Sequence, residues 1–433
     1  MSGGVFLMLF TVILLVIGVP VAFSLGISSI AYITLYNDIL PLSFFTEAVL
    51  NSTSSFTLVA IPFFILAGEL MLAGKISEKL INFCLSLTKE STTALGMVTV
   101  AACAIFAAIS GSGAATVACI GAIMIPQMEK NGYDRGFATA LATSAGALGP
   151  IIPPSLTMII YAVTVQVSVS DMFLCGFVPG ILMAVVICLV ARYSIKKAGY
   201  MPSPEVAKEN AERGRKSFGQ AFKEGIWALL MPVIILGGIY GGFFTPTEAA
   251  VVACVYAIII GLFVYRSLKL SDLPAVLIKT GKSCSFLILI SICGAFGKLL
   301  AMEGITDAIA QFVLGITDNK YLILMIINIV LLIVGMFLDA GPAIVLLAPI
   351  FAPIAQSVDI NLLHFGIIMC INLAIGLVTP PVGVNLFVGM RTGNISMERL
   401  VPHLKLLLPA MIVTLLIITY IPGISLCLVN LMG

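Results

Sequence analysis

Apolar stretches long enough to cross a lipid bilayer recur along almost the whole chain, from Val5 to Leu431. A transmembrane helix needs roughly 17 to 25 mostly apolar residues, and no polar block between these stretches is long enough to fold separately. Charged residues make up 10% of the chain, whereas a soluble protein has about a quarter. The sequence therefore predicts an all-α polytopic membrane protein, and we expect the first stretch to be a retained span and not a signal peptide.

The chain reads as two copies of one helical unit. Its most polar segment, 192–223, lies near the middle and holds eight basic residues. At an offset of 227 residues, Pro126 coincides with Pro353, and Gly149 coincides with Gly376. The order of predicted segments is also similar on the two sides of the polar segment. We therefore predict inverted repeats at 1–193 and 225–433, joined by a cytoplasmic linker at 194–224.

Each copy contains a re-entrant hairpin and a broken, discontinuous helix. In the first copy hydropathy predicts spans at 5–18, 20–36 and 56–73, an amphipathic arm at 75–89, a hairpin at 93–127, a broken helix at 134–167 and a span at 172–192. In the second copy it predicts spans at 227–244 and 246–265, an arm at 271–282, a span at 285–301, a hairpin at 321–356, a broken helix at 362–390 and a span at 406–428. Five crossings per copy make the copies antiparallel. We match the two arms with each other, as parts of a frame around a mobile core.

The distribution of basic residues supports this topology. Cytoplasmic loops of membrane proteins are enriched in Lys and Arg, and here every Lys and Arg except Lys298 and Lys320 falls on the side of the linker. Acidic residues such as Asp171, Glu303 and Asp359 fall on the opposite side. The first hairpin should therefore enter from the cytoplasm, and the second from the outside.

The sequence predicts four helix breaks near the middle of the membrane. In hydrocarbon every backbone amide needs a partner, so a helix breaks there only where the freed groups face protein, a cavity or a bound ion. The hairpins turn at 110–113 (SGSG) and 339–342 (DAGP), and the broken helices are interrupted at 146–154 and 376–383. Both interruptions contain a double proline, which leaves several carbonyls unpaired. Packing glycines and proline kinks are the alternative, but four breaks related by a repeat favour a functional site.

These breaks predict cation sites with an anion site between them. Carbonyl-rich helix ends suit sodium, and the N-termini of half-helices suit a carboxylate. The residues predicted at two cation sites are Ser110, Ser112, Gly113, Gly146 and Gly149 in the first copy, and Asp339, Gly341, Gly376, Thr379 and Val382 in the second. The residues predicted to contact the solute are Ser112, Ser155, Thr157, Gly341 and Asn385. For the polar residues beside the breaks, which also include Ser144 and Asn372, hydrogen bonding between helices is an equal alternative.

Three charged residues fall within apolar runs. An acid there costs a few kcal/mol or more unless it is paired or functional, so Asp339 is the strongest single indication of a site. Glu69 and Lys298 occupy nearly matching places in the two repeats. They are interpreted either as a structural pair or as a subunit contact.

Longer motifs add a resemblance to a known family. The motifs are GSGAAT at the first tip, ALGPIIPPS at the first break, GGFFTPTEAA at the start of the second copy, FLDAGPAIVLLAPIFAPI at the second hairpin and GLVTPPVGVNLF at the second break. Together they resemble the large membrane subunit of the tripartite ATP-independent periplasmic (TRAP) transporters over essentially the whole chain. The resemblance implies sodium sites at Ser110, Ser112 and Gly149, and at Asp339, Gly376 and Thr379.

The same resemblance implies a mechanism, partners and a location. It implies an elevator-type, sodium-coupled importer in the bacterial inner membrane. The partners would be a small membrane subunit and a periplasmic solute-binding protein, which delivers a carboxylated solute of the sialic acid or C4-dicarboxylate class. A stand-alone sodium-coupled anion transporter without a binding protein is the alternative.

Other classes of protein fit the sequence less well. The only histidines are His364 and His403, no HExxH motif occurs, and no serine has a base in a plausible register, so we do not expect an enzyme. No GxxxxGK[ST] motif occurs either, so ion gradients are the expected energy source. Hairpin tips that close on broken helices suit an occluding carrier better than an open channel.

Overall fold

The chain folds into helices. The computed structural model describes residues 3–432, apart from 38, 55, 87–92, 202–217, 306, 307, 309, 310, 312–314, 316 and 318. Within these residues the chain contains no β-strand. Most of the predicted cytoplasmic linker and the end of the arm at 75–89 lie outside the described residues.

The helices follow one another with short connections. Those of the first half are α1 Gly3–Val16, α2 Val21–Tyr36, α3 Leu42–Thr53, α4 Ala60–Ala73, α5 Ile76–Ser86, α6 Ala94–Ser110, α7 Gly113–Lys130, α8 Arg135–Gly146, α9 Leu156–Val165 and α10 Val169–Ala198. Those described in the second half are α11 Phe218–Tyr240, α12 Pro246–Ile259, α13 Leu273–Ser283, α14 Leu287–Met302, α15 Lys320–Phe337, α16 Ala340–Ser357, α17 Leu362–Gly376, α18 Val384–Gly393, α19 Met397–Leu400, α20 Leu404–Tyr420 and α21 Pro422–Met432.

The fold is that of a polytopic membrane protein, as predicted. In the described residues, eight helical segments are long and apolar enough to cross a bilayer. Outer helices expose large apolar side chains such as Leu9, Val16 and Leu189, which a lipid environment requires. By contrast α8 and α17, the first halves of the two broken helices, are buried almost throughout and form the centre of the molecule.

The order of helices repeats, and contacts between the halves are reciprocal. Gly113 begins α7 and Ala340 begins α16, and the two residues are 227 positions apart. In the first half α4 packs on α12 and α13, while its counterpart α14 packs on α2 and α3. Likewise α9 packs on α16, and its counterpart α18 packs on α7. Such exchange of equivalent contacts is what a twofold relation between two copies produces.

The amphipathic arms pair differently from the prediction. The arm at 271–282 is α13, but its counterpart is α3, a helix absent from the sequence prediction. The arm at 75–89 is α5, whose counterpart at the same offset falls at 302–316, where several residues lie outside the described part. The prediction missed α3 because a 12-residue helix that ends in Asn-Ser-Thr gives no long apolar run.

Other boundaries agree with the prediction. The segment 227–265 is two helices, because α11 ends at Tyr240 and Thr245 caps α12 in a capping box with Glu248. The split at Pro20 is also present, between α1 and α2. The last span differs from the prediction, since 406–428 is divided into α20 and α21 at Pro422, which cannot continue the preceding helix.

Candidate functional site

The first hairpin turns through a left-handed glycine. Gly111, between α6 and α7, has a φ of +59°, a conformation that glycine adopts without steric cost. Ser112 then caps α7, since its hydroxyl accepts a hydrogen bond from the Ala115 N–H at 3.5 Å. The Ser110 hydroxyl lies 3.2 Å from that of Thr116, which donates to the Ser112 carbonyl at 2.8 Å. The tip is thus a compact group of hydroxyl and carbonyl oxygens.

This tip touches the first helix break backbone to backbone. A Cβ on Gly149 would lie 2.6 Å from the Gly113 nitrogen, and one on Gly113 would lie 3.2 Å from the Gly146 carbonyl oxygen. The Leu156 N–H, at the start of α9, donates to the Gly111 carbonyl at 3.4 Å. The structure therefore brings together four of the predicted residues of the first sodium site, Ser112, Gly113, Gly146 and Gly149, with Ser110 beside them.

Two predicted solute contacts directly follow the first break, Ser155 at the N-cap of α9 and Thr157 in its first turn. The hydroxyls of Ser155 and Thr157 donate to the Pro150 carbonyl, at 2.7 Å and 2.9 Å, and lie 2.8 Å apart. The peptide bond between the two prolines of this break is cis, as it is in the second break. These hydrogen bonds fix the loop between α8 and α9. Ser155 is fully buried, whereas Thr157 retains slight exposure to solvent.

The second hairpin meets the second break in a similar way. The Gly383 N–H donates to the Met336 carbonyl at 2.8 Å, and a Cβ on Gly376 would lie 2.6 Å from the carbonyl carbon of Gly335. Thr379 is buried, with its hydroxyl donating to the Ile375 carbonyl at 2.7 Å, and Val382 is half-buried. Thus Gly376 packs on the helix that precedes the tip and not on the tip itself.

Asp339 stands at the N-cap position of α16 without capping that helix. An aspartate there normally accepts a hydrogen bond from the second or third helical N–H, but the Asp339 side chain makes no such bond. Its carboxylate is instead exposed to a cavity at the centre of the protein.

Both hairpin tips and both breaks line this central cavity, whose volume is about 110 Å³. Five of the predicted residues line it, and they are Ser112, Gly113, Thr157, Asp339 and Gly341. The predicted residues that do not line it are Ser110, Gly146, Gly149, Ser155, Gly376, Thr379, Val382 and Asn385. Phe286, just before α14, also lines the cavity. Sequence reasoning missed it because a phenylalanine in an apolar segment looks like any lipid-facing residue.

Helix N-termini converge on the central cavity. The first residues of α7, α9, α16 and α18 all line it. Each N-terminus presents free N–H groups and a positive partial charge. Because four of them meet in one small space, the cavity is suited to an anion. Asp339 contributes the single carboxylate among the described residues that line the cavity.

Asn385 lies at the first tip and not in the cavity. Its side chain is fully buried, and neither amide atom has a hydrogen-bond partner among the described residues. A Cβ on Gly113 would lie 2.8 Å from its nitrogen and 3.1 Å from its oxygen. The geometry therefore places Asn385 with the first group of oxygens, beside Gly113 and Gly146, and not at the solute cavity for which its sequence position was predicted.

The remaining polar residues have distinct surroundings. Asn372 donates to the backbone oxygen of Asn328 at 2.9 Å and to its side-chain oxygen at 2.7 Å, so it joins α17 to α15. The Ser144 hydroxyl is buried without a partner among the described residues. Glu69 pairs with Lys279 at 2.6 Å and not with Lys298, which excludes the structural pair, one of the two interpretations of Glu69 and Lys298.

The sequence matches a known family over most of its length. That family, described as tripartite ATP-independent periplasmic transporter, DctM component, matches residues 7–424. The isethionate TRAP transporter permease protein DctMQ of Oleidesulfovibrio alaskensis is 43% identical over 95% of this chain and 64% of that protein. The chain thus spans less than two thirds of that relative. The C4-dicarboxylate TRAP transporter large permease protein DctM of Pseudomonas aeruginosa is 42% identical over 95% of this chain and 94% of that protein.

A solved structure has the same fold. The YdaH transporter of Alcanivorax borkumensis superposes with a TM-score of 0.59, over 97% of this chain and 98% of that one. The two sequences are 13% identical, so this likeness concerns the fold alone.

Proposed function

Since this chain belongs to the DctM family of tripartite ATP-independent periplasmic transporters, we propose that it is a large permease subunit that imports a small organic anion together with sodium. The observation that carries the proposal is the convergence of four helix N-termini on the central cavity that Asp339 lines. The chain's own residues would bind the anion through backbone N–H groups, with the Thr157 and Ser112 hydroxyls at its edge. Both residues line the cavity.

Sodium would bind beside the cavity at two places. At the first tip the candidate ligands are the Ser110 and Ser112 oxygens, the Gly146 and Gly149 carbonyls and the unpartnered Asn385 amide oxygen. At the second they are the Asp339 carboxylate and the backbone carbonyls around Gly376, Thr379 and Val382, with Gly113 and Gly341 at the adjoining tips. Oxygens of this kind are what a hard cation prefers.

The position of Asp339 gives a physical reason for coupling. An ionised carboxylate on the cavity wall repels an incoming anion, and a bound cation beside it removes that repulsion. Solute binding would then require sodium to bind first. Each net positive charge that moves inward gains about 2.3 kcal/mol per 100 mV of membrane potential, so excess sodium can drive accumulation.

Cavity size favours the smaller solutes. The central cavity is small, with a volume of about 110 Å³. Such a space accommodates a C4-dicarboxylate or isethionate more readily than sialic acid. The relatives named above for isethionate and for C4-dicarboxylates make both classes reasonable first choices.

The partners and the movement follow from the family and the fold. We propose that a small membrane subunit and a periplasmic binding protein act with this chain in the bacterial inner membrane. The hairpins and broken helices would move as one body against a frame built from α2, α4, α12 and α14, in an elevator movement. The reciprocal packing of these four helices across the two halves supports their assignment to one frame.

Uptake into proteoliposomes tests this function. The vesicles would hold this chain with its small subunit, and labelled succinate, isethionate and sialic acid would be supplied with or without external sodium and binding protein. Uptake of one solute that needs both sodium and binding protein supports the proposal. Sodium-independent uptake contradicts it, and full uptake without binding protein indicates the stand-alone carrier.

A further inference from the structure

A second and larger cavity lies next to the central one. This cleft has a volume of about 730 Å³ and runs between α14 on one side and α9 and α16 on the other. Residues of α3 and the first turns of α10 and α12 complete its wall. On the topology that the basic residues indicate, it lies on the periplasmic side, where α9 ends and α10 begins.

Two helices lead from the cleft to the central cavity. On α9, Ile160 lines the central cavity and Thr164 lines the cleft. On α16, Gly341 lines the central cavity and Val345 lines the cleft. Residues four apart on a helix lie on the same face at about 6 Å along its axis. The cleft therefore adjoins the central cavity one helical turn away.

The cleft has a single kind of charge. Lys298, on α14, is the one ionisable lysine, arginine or carboxylate side chain among the described residues that line it. Its side chain is exposed, and it forms no ion pair within the described part of the chain. The other polar lining is uncharged and includes the side chains of Asn51, Thr57 and Gln166.

The small residues of α14 leave room beside Lys298. Gly294 and Gly297 line the cleft on the preceding turn, and Ala301 lines it on the next. A Cβ added to Gly297 would meet Pro349 of α16 at 3.7 Å, so this face of α14 approaches the hairpin closely while the lysine extends beside it. A lysine in a wide cleft that is otherwise uncharged, and without an ion-pair partner among the described residues, attracts an anion from solution.

We propose that the cleft is a capture site for organic anions, with Lys298 as the residue that attracts the carboxylate or sulfonate before the anion enters the central cavity. This inference rests on the proposed function for its biological role. The interaction is electrostatic and made before the solute is occluded, so it raises the rate of association more than the affinity of the central site. Lys298 is a steering residue, and the central cavity remains the place of transport.

Charge-selective labelling tests the capture site without transport. Ser52 lines the cleft against Gly294, one turn from Lys298, so Ser52→Cys reports the local potential. The probes are an anionic methanethiosulfonate, the 2-sulfonatoethyl reagent, and a cationic one, the trimethylammonium-ethyl reagent. Modification at position 52 is quantified by peptide mass spectrometry, which separates it from the native cysteines.

The expected result is a change in the ratio of the two labelling rates. Lys298→Met should lower the anionic-to-cationic ratio by about fivefold, the effect of one charge a few ångströms away in a hydrated space. Lys298→Arg should preserve the ratio. Lys320→Met removes the other lysine on the same side and should leave it unchanged. An unchanged ratio in Lys298→Met, or equal slowing of both reagents, overturns the proposal.

Transport kinetics give a second and separate readout. In proteoliposomes that take up succinate or isethionate, Lys298→Met should raise KM several-fold at low salt with little change in kcat, and high salt should reduce the difference. Equal loss of kcat in Lys298→Met and Lys298→Arg would mean a structural role and would contradict steering. If wild-type protein transports none of the tested anions, the proposed function fails, while the labelling ratio still decides whether the cleft attracts anions.

Discussion

Ser112 and Asp339 occupy the same position of the two repeats, 227 residues apart, and both line the central cavity. Ser112 uses its hydroxyl to cap α7, whereas Asp339 leaves the end of α16 uncapped and presents its carboxylate to the cavity. The two tips therefore share a backbone design and differ in charge. We expect the second tip to determine the dependence on cation, because only that tip carries a carboxylate.

Replacing the carboxylate of Asp339 should weaken sodium binding at the central cavity. Asp339→Asn keeps the size of the side chain and removes its charge. Sodium affinity should fall by about 100-fold, within the roughly 4 kcal/mol that two charges in contact gain near a protein surface. Sodium dependence of uptake and sodium-induced protection against heat would measure the change. Asp359→Asn is the matched control, since Asp359 is exposed in a turn with a φ of +57° that asparagine also adopts. Normal sodium affinity in Asp339→Asn would contradict a cation role.

Adding one methyl group at Gly149 should separate the first tip from its break. The added Cβ would lie 2.6 Å from the Gly113 nitrogen, and backbone on both sides leaves no flexible side chain to move away. Gly149→Ala should therefore lose uptake and lower stability by about 1–3 kcal/mol. Thermal unfolding in detergent would detect the loss of stability. Unfolding can be followed by the reaction of buried cysteines with a thiol dye or by size-exclusion chromatography. Gly281→Ala, in α13 with open space around it, should stabilise or leave stability unchanged. Equal behaviour of the two variants would contradict the close contact.

Asn385 should affect sodium more than solute. Its unpartnered amide lies against Gly113 and away from the central cavity. Asn385→Ala should raise the sodium concentration for half-maximal uptake by about tenfold, the loss of one oxygen ligand worth about 1.4 kcal/mol. At saturating sodium, the KM for the solute should stay near its wild-type value. Thr157→Val, which alters a hydroxyl on the cavity wall, should give the opposite pattern. A raised solute KM with unchanged sodium dependence in Asn385→Ala would restore the assignment of this residue to the solute.

The sequence predicted the breaks and tips well because few residue types can form them. A double proline at Pro153 or Pro380 cannot continue a helix, and an aspartate such as Asp339 is too costly in lipid without a function. The sequence did not predict which part of the protein each break or tip contacts. Gly149 contacts the first tip, but its counterpart Gly376 contacts Gly335, a difference that depends on how the helices pack.

Site residues of a common type, such as an apolar residue in an apolar helix, could not be identified from the sequence. Phe286 lines the central cavity, yet an apolar residue in an apolar run predicts only burial or lipid contact. Helical spacing placed Asn385 near a break but not toward one particular neighbour. The partner of Glu69 could not be identified for the same reason, since sequence position in the repeats does not reveal that Lys279 on α13 reaches it.

The ion pair between Glu69 and Lys279 should stabilise the contact between the two halves. The pair joins α4 to α13 at 2.6 Å, and the Glu69 side chain is only 14% exposed. Lys279→Ala would leave this carboxylate without its cation in a mostly buried place, so we expect a loss of about 1–2 kcal/mol, between the values for exposed and buried pairs.

A second ion pair between the halves provides the comparison. Lys79 and Glu224 lie 3.1 Å apart, but their side chains are 36% and 35% exposed. Lys79→Ala should therefore cost less than about 1 kcal/mol. Thermal unfolding of both variants would measure the difference, and the exchanged pair Glu69→Lys with Lys279→Glu should recover part of the loss. If Lys79→Ala destabilises the protein as much as Lys279→Ala does, burial does not set the strength of these contacts. The two halves would then be held together chiefly by the apolar packing of α4 on α12 and α13.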